Sequence, residues 1–420
     1  MNIIYLKLLI GVSLLILVFL IYLKRIWLRN FFAGANELLI LGGSWLVLRL
    51  IPFITIYYLF GFEPQSDVEG FWEEASMALE GKIVYKDFWS PYSPLYPYFL
   101  AGWLHAWYDP RMIVLVLAII DGLAVWLTNH FYKGEYSKAE RMWKSLIYLA
   151  LPGSLMLCIV GGQEDVWMWV VVLIAFLYKQ KTGNTYLFSL ILAVGLLITK
   201  AIFVLVIIPL FWIDKQKLKF AIPMMVVGII TLAMLLPVVG WDFLQPLDEA
   251  KVLRAPNLLS VLNPLLFNSI AIGSKFWNWA ALIFTLILGV QVFERMKGRS
   301  LEKKLSHFWV VIFGTMMIVQ QSAYSNYIFL FLIPLTFTII DWENRKQVAC
   351  LLVYNLLCVI HPSWWWRIGM PVYENLSSVL VQWQYVVDYG MQAGIVILTI
   401  YMIRLAFPAA EGKSVSTGNT

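Results

Sequence analysis

Residues Leu38 to Phe60 read LLILGGSWLVLRLIPFITIYYLF, with Arg49 as the one charged side chain. A helix needs about 20 predominantly apolar residues to cross a bilayer, and this run supplies them. Similar runs recur to the end of the chain. Only 13% of its 420 residues are charged and 61% are apolar, whereas soluble proteins carry about 25% charged residues. No polar interruption is long enough to fold alone in water. The expectation is an all-α, polytopic membrane helix bundle forming one integral-membrane domain over residues 1–420.

Charge placement gives the topology. Lysine and arginine near helix ends favour the cytoplasmic side. They cluster at Lys24/Arg25/Arg29, Lys133–Lys144, Lys179/Lys181, Lys215–Lys219, Arg295–Lys304 and Arg345/Lys346. The intervening loops hold most of the acids. This alternation predicts about thirteen crossings, near 3–23, 37–60, 111–132, 143–160, 166–179, 185–199, 200–213, 220–240, 276–293, 307–321, 326–340, 347–361 and 387–407. The N-terminus is expected outside, and residues 408–420 form a cytoplasmic tail. Asn2–Leu23 lacks a small-residue cleavage site and reads as a retained helix rather than a signal peptide. The net charge of +6 is accounted for by cytoplasmic loops, with no nucleic-acid partner. Cys158, Cys350 and Cys358 lie in apolar runs and suggest neither disulfides nor a metal site.

Parity allows one crossing between the acidic segment at Ser66 and the basic one at Lys133. Leu95–Trp107 is therefore expected to be a half-buried or re-entrant helix, and residues 61–110 a large external loop. Within that loop, Ser66-Asp67-Val68-Glu69 fits a capping box. Val68, Phe71, Trp72, Ala75 and Leu79 repeat at helical spacing opposite Glu69, Glu73, Glu74 and Glu80, and Gly81 follows as a stop. Asp67 opens the helix, where it either faces a site at membrane depth or answers the helix dipole. The continuation GKIVYKDFWSPYSPLYPYF is stiffened by Pro91, Pro94 and Pro97. It carries Lys86, Asp87, Trp89, Tyr92 and Tyr96, as a sugar-binding surface requires, although an interfacial aromatic belt accounts for some of these rings.

The stretch SDVEGFWEEASMALEGKIVYKDFWSPYSPLYPYF resembles the first external loop of GT-C glycosyltransferases, in particular the mannosyltransferase-like, polyprenyl-phosphate-sugar-dependent branches. The correspondence runs through Asp67-Val68-Glu69, Gly81, Val84-Tyr85 and Tyr92-Ser93-Pro94-Leu95. It departs at the acid pair, DVE in place of DxD, and at Val84 in place of proline. GGQEDVWMW (Gly161–Trp169) is similar to the family's second external loop, and LLITKAIFVLVIIPLF is similar to its helix pair with Lys200 at the tip. The likeness covers about the first half of the chain.

The resemblance implies an inverting transferase that moves a sugar, mannose favoured, from a polyprenyl-phosphate donor to an acceptor hydroxyl. The acceptor is a glycan, a glycolipid or a protein, and membrane lipid is the other partner. Asp67 is then the candidate general base. Cationic groups have to stabilise the leaving phosphate. The external candidates are Lys82, Lys86, Arg111, Lys200, Lys251, Arg254, Lys275 and Arg367. Lys200, between two apolar segments, stands first, with simple snorkelling as its structural alternative, and Arg254 is a further candidate from the 242–257 loop.

Gln163 and Asp165, with Glu164, either bind sugar hydroxyls, orient the acceptor or form an ordinary polar hairpin loop. His361 with Arg367 forms either a proton-switching or phosphate-contacting pair or an interfacial anchor, and Tyr324 sits at another helix mouth. Glu69 either caps the helix or helps Asp67 hold a divalent cation, the one cofactor left open. Arg49 and Asp121 lie inside spanning segments, as an internal ion pair or as unrelated structural residues. A bacterial cytoplasmic membrane with the site on the periplasmic or exterior face is expected. A transporter or flippase for a lipid-linked glycan is the rival reading, together with a non-catalytic subunit that binds polyprenyl lipid. The first needs a polar pathway through the bundle, whereas the acids collect at one end.

Overall fold

The computed structural model describes residues 3–266 and 275–408, and the predicted tail from 409 onward lies outside them. Among the described residues the protein is helical throughout, with no strand beyond one isolated bridge between Val84 and Phe88. Seven helices are long and apolar enough to cross a membrane: Ile4–Leu23, Glu37–Leu59, Pro110–Gly134, Lys217–Lys251, Phe276–Arg295, Arg345–Arg367 and Trp383–Ala406. Lys138–Ala150 and Pro152–Val160 make an eighth if the pair, bent by 64°, counts as one.

The other five predicted crossings coincide with helices that fall short by length or polarity. Thr185–Ile198, Ala201–Ile213 and Ser325–Ile339 are each under 18 residues. At 1.5 Å rise per residue, the 14 residues of Thr185–Ile198 cover about 21 Å of a core about 30 Å thick. Leu301–Val319 opens with Glu302, Lys303 and Lys304. Charge alternation counts every apolar run as a crossing, whereas the backbone shows how far each run reaches.

The predicted loop partition is visible in the contacts. At the basic end, Arg25 pairs with Glu343 at 2.6 Å, Lys303 with Glu135 at 2.9 Å, and Lys138 Nζ donates to the Ala35 carbonyl at 2.7 Å. At the acidic end, the loops near 61–67, 161–165, 199–200 and 324–327 meet. Between the two ends, Arg49 and Asp121 form a fully buried ion pair at 2.8 Å. Arg49 also donates to the Leu149 carbonyl at 2.9 Å and to Ser154. It thereby bridges the break at Leu151–Pro152, where the backbone cannot satisfy itself. Asn355 does the same from the other side, accepting from the Gly153 N–H at 3.1 Å.

The 61–110 segment follows its predicted helical outline. The helix Asp67–Leu79 buries Val68, Phe71, Ala75 and Ala78, and Gly81 ends it at φ 83°. Tyr96–Leu104 is a nine-residue helix, too short to span. Two details differ. Ser66 makes no capping bond through its side chain; its φ of 64° and ψ of −134° turn the hydroxyl away from the first turn. Glu74 is buried rather than on the polar face, because it lies three residues past Phe71 and four before Ala78.

Candidate functional site

Four loops at the acidic end bring the site together. The proline-rich stretch is tied to the end of Thr185–Ile198 by backbone bonds from Ser93 N to Thr199 O at 3.3 Å and from Leu95 N to Leu197 O at 3.0 Å. That docking sets Tyr92 beside Lys200, whose Nζ lies 5.4 Å from the Tyr92 ring centre and 5.7 Å from that of Tyr327. Tyr92 stacks on Tyr96 at 4.3 Å, and Phe71 and Trp167 close the aromatic wall.

Asp67 is half-buried and accepts from Gln163 Nε2 at 2.6 Å. Gln163 is itself oriented by Asn326, whose amide donates to Gln163 Oε1 at 2.6 Å. The loop holding Gln163 passes against the Asp67 helix at Gly162, which has φ 61°. Lys200 Nζ bonds Asp165 at 2.7 Å and also contacts Glu164. Arg254 lies 4.5 Å above the Tyr324 ring and pairs with Glu249 at 2.8 Å. The site thus unites Asp67, Tyr92, Gln163, Asp165, Lys200, Arg254 and Tyr324 of the residues singled out in the sequence.

Electrostatics shape these groups. Burial raises the Asp67 carboxyl above its ordinary range, against the opposing pull of Lys200 and the Gln163 bond. Burial pushes Glu164 up to about 7, with Lys200 working against it. Glu74, buried and accepting from Ser90 Oγ at 2.7 Å, is pushed up to about 8. Burial pulls the Lys200 ammonium down, but Asp165 and Glu164 outweigh it and hold it well above the usual lysine range. Among the described residues, Glu164 Oε2, Asp165 Oδ2 and Asn326 Oδ1 are buried acceptors that meet no hydrogen-bond donor, so the site offers more acceptors than these residues fill.

The remaining candidates stand elsewhere. Glu69 is exposed on the far side of its helix, and Lys86 is exposed. Asp87 secures its own turn by accepting from Ile83 N at 2.7 Å. His361 is fully buried and faces Asp388 at 3.4 Å, while Arg367 is exposed at the helix end, so the two do not form the expected pair. Among the described residues, no group of three His, Cys, Asp or Glu side chains is arranged to hold a metal ion. Of the two carboxylates considered for a cation, Glu69 is exposed and Asp67 accepts from the Gln163 amide through Oδ2.

Glu74, Asn326, Tyr327 and Asp388 escaped the sequence reading. The helical position of Glu74 on the Phe71/Ala78 stripe could have revealed it. The others carry no local signal, being recruited by contacts between distant segments. The chain matches no protein-family model and no curated protein.

Proposed function

We propose that the protein is an inverting glycosyltransferase acting at the acidic end of the bundle, with Asp67 as general base. The observation that carries this reading is the half-buried Asp67 carboxylate, held by Gln163 and raised in basicity by burial, next to a wall of aromatic rings and buried acceptors. A base works best when its pKa lies near the working pH. An acceptor hydroxyl attacks the anomeric carbon of a polyprenyl-phosphate sugar as the bond to the phosphate oxygen breaks. The hydroxyl proton passes to Asp67, and the polyprenyl phosphate leaves with the bonding electron pair.

In this reading Arg254, paired with the single carboxylate of Glu249, meets the leaving phosphate, whereas Lys200 is engaged by two carboxylates. Glu164 and Asp165 take sugar hydroxyls through their unfilled acceptor atoms, and Tyr92 gives a ring face to the pyranose. The reading also carries the thirteen-crossing topology, in which the shorter helices complete the bundle, and a bacterial cytoplasmic membrane with this end outermost. Mannose and the nature of the acceptor rest on the loop resemblance alone. The test is transfer from radiolabelled polyprenyl-phosphate sugars to candidate acceptors by purified protein. Turnover supports the reading, and its absence with every donor overturns it.

A further inference from the structure

Beneath the site lies a second polar centre that the proposed chemistry does not use. Asp388, fully buried, accepts from Tyr373 Oη at 2.9 Å and from Gln392 Nε2 at 2.6 Å, both on Oδ2. Its other oxygen faces His361 Nε2 at 3.4 Å. The opposite ring nitrogen of His361 lies 3.5 Å from Ser325 Oγ. Serine, histidine and aspartate thus stand in line, yet Ser325 is 0% exposed and its hydroxyl also reaches the Cys358 carbonyl at 3.3 Å. No substrate can reach such a serine, so the alignment is not a hydrolytic triad.

The position of Ser325 gives the alignment its use. Ser325 opens the short turn Ser325–Tyr327. The next residue, Asn326, orients Gln163, and the one after, Tyr327, presents its ring to Lys200. On the other side Tyr324 lies beneath Arg254 and meets Trp365 edge-on at 5.8 Å. Both His361 and Trp365 belong to the helix Arg345–Arg367, so one helix supports the turn at two points.

We infer that His361, buried between Asp388 and Ser325, is a positioning residue that fixes the 324–327 turn and through Asn326 and Gln163 aims the Asp67 carboxylate. The inference rests on Asp67 marking the working site, but its test needs no turnover. A chain of contacts acting as a unit gives non-additive double-mutant effects, whereas separate structural contributions add.

The experiment is hydrogen–deuterium exchange of the 161–167 segment in full-length protein in detergent, on His361→Leu, Asn326→Ala and the double variant. His361→Leu is expected to speed exchange of these amides about tenfold, a size within measured coupling energies. Added to Asn326→Ala, it has little further effect. His361→Gln, which keeps an amide facing Asp388, restores most of the protection. Equal increments in both backgrounds, or unchanged exchange at 161–167 in His361→Leu, overturn the inference. Should His361→Leu not fold, Asp388→Asn replaces it in the same cycle under the same criteria. Loss of the coupling with transfer intact refutes this inference alone, while coupling without any transfer refutes the proposed function alone.

Discussion

Gly162 stands so close to Val68 that a Cβ built on it lies 2.1 Å from Val68 Cγ2. The residue after Gly162 holds Asp67, and the residue before Val68 is Asp67 itself, so this approach sets the distance between the two halves of the site. Gly162 also has φ 61°, a conformation that side-chain-bearing residues rarely adopt. Gly162→Ala is expected to cost about 1–3 kcal/mol of stability and to lower transfer far more than its effect on melting accounts for. Thermal unfolding in detergent alongside turnover checks both. A fully active alanine variant would show that the loops need not approach so closely.

Lys200 predicts a coupled effect. Lys200→Met leaves Glu164 and Asp165 buried without their cation, and breaking a buried pair in this way costs about 3–5 kcal/mol. Lys200→Met combined with Asp165→Asn is expected to recover part of that loss, because one uncompensated charge is removed. Melting temperatures of the wild type, the two single variants and the double variant form the cycle.

Glu74 gives a pH signature whose sign follows from linkage. Burial pushes its carboxyl up to about 8, above the ordinary glutamate value of 4.5, so between these values the folded state holds a proton that the unfolded state has released. Stability contributed by this group therefore falls as pH rises through that window, with a limiting slope of about 1.4 kcal/mol per pH unit. Glu74→Gln keeps a group that can bond Ser90 and cannot ionise. The variant is expected to gain on the wild type steadily from pH 5 to pH 8. Parallel melting curves over that range would contradict the buried, protonated acid.

Arg254 is the cation assigned to the departing phosphate. Arg254→Gln is expected to lower kcat by about a hundredfold, the scale for losing one preorganised charge contact. Single-turnover kinetics with a polyprenyl-phosphate sugar separates this from weakened donor binding. If Lys200 bore the phosphate instead, the arginine variant would turn over almost normally.

The helical class and the amphipathic helix Asp67–Leu79 could both be read from the chain, because each depends on local periodicity. The Asp67 helix ends at Gly81 as its sequence indicates. What could not be read was which loops meet. Asn326 and Asp388 lie 259 and 321 positions beyond Asp67 in the chain, and neither has a sequence pattern that points to the other. The Ser66 capping box failed for a related reason: the φ of 64° at Ser66 reflects where the preceding loop has to go, which no four-residue motif contains. The paired loss of charge at Lys200 was likewise hidden, since its partners come from another loop.

The most direct measurement is transfer by Asp67→Asn, which preserves an oxygen to accept the Gln163 amide and removes the base. Purified variant and wild type are compared with one radiolabelled polyprenyl-phosphate sugar and its acceptor, with donor binding measured separately. The account predicts donor affinity close to wild type and turnover reduced by about a hundredfold or more. An asparagine variant that transfers sugar at the wild-type rate would contradict it.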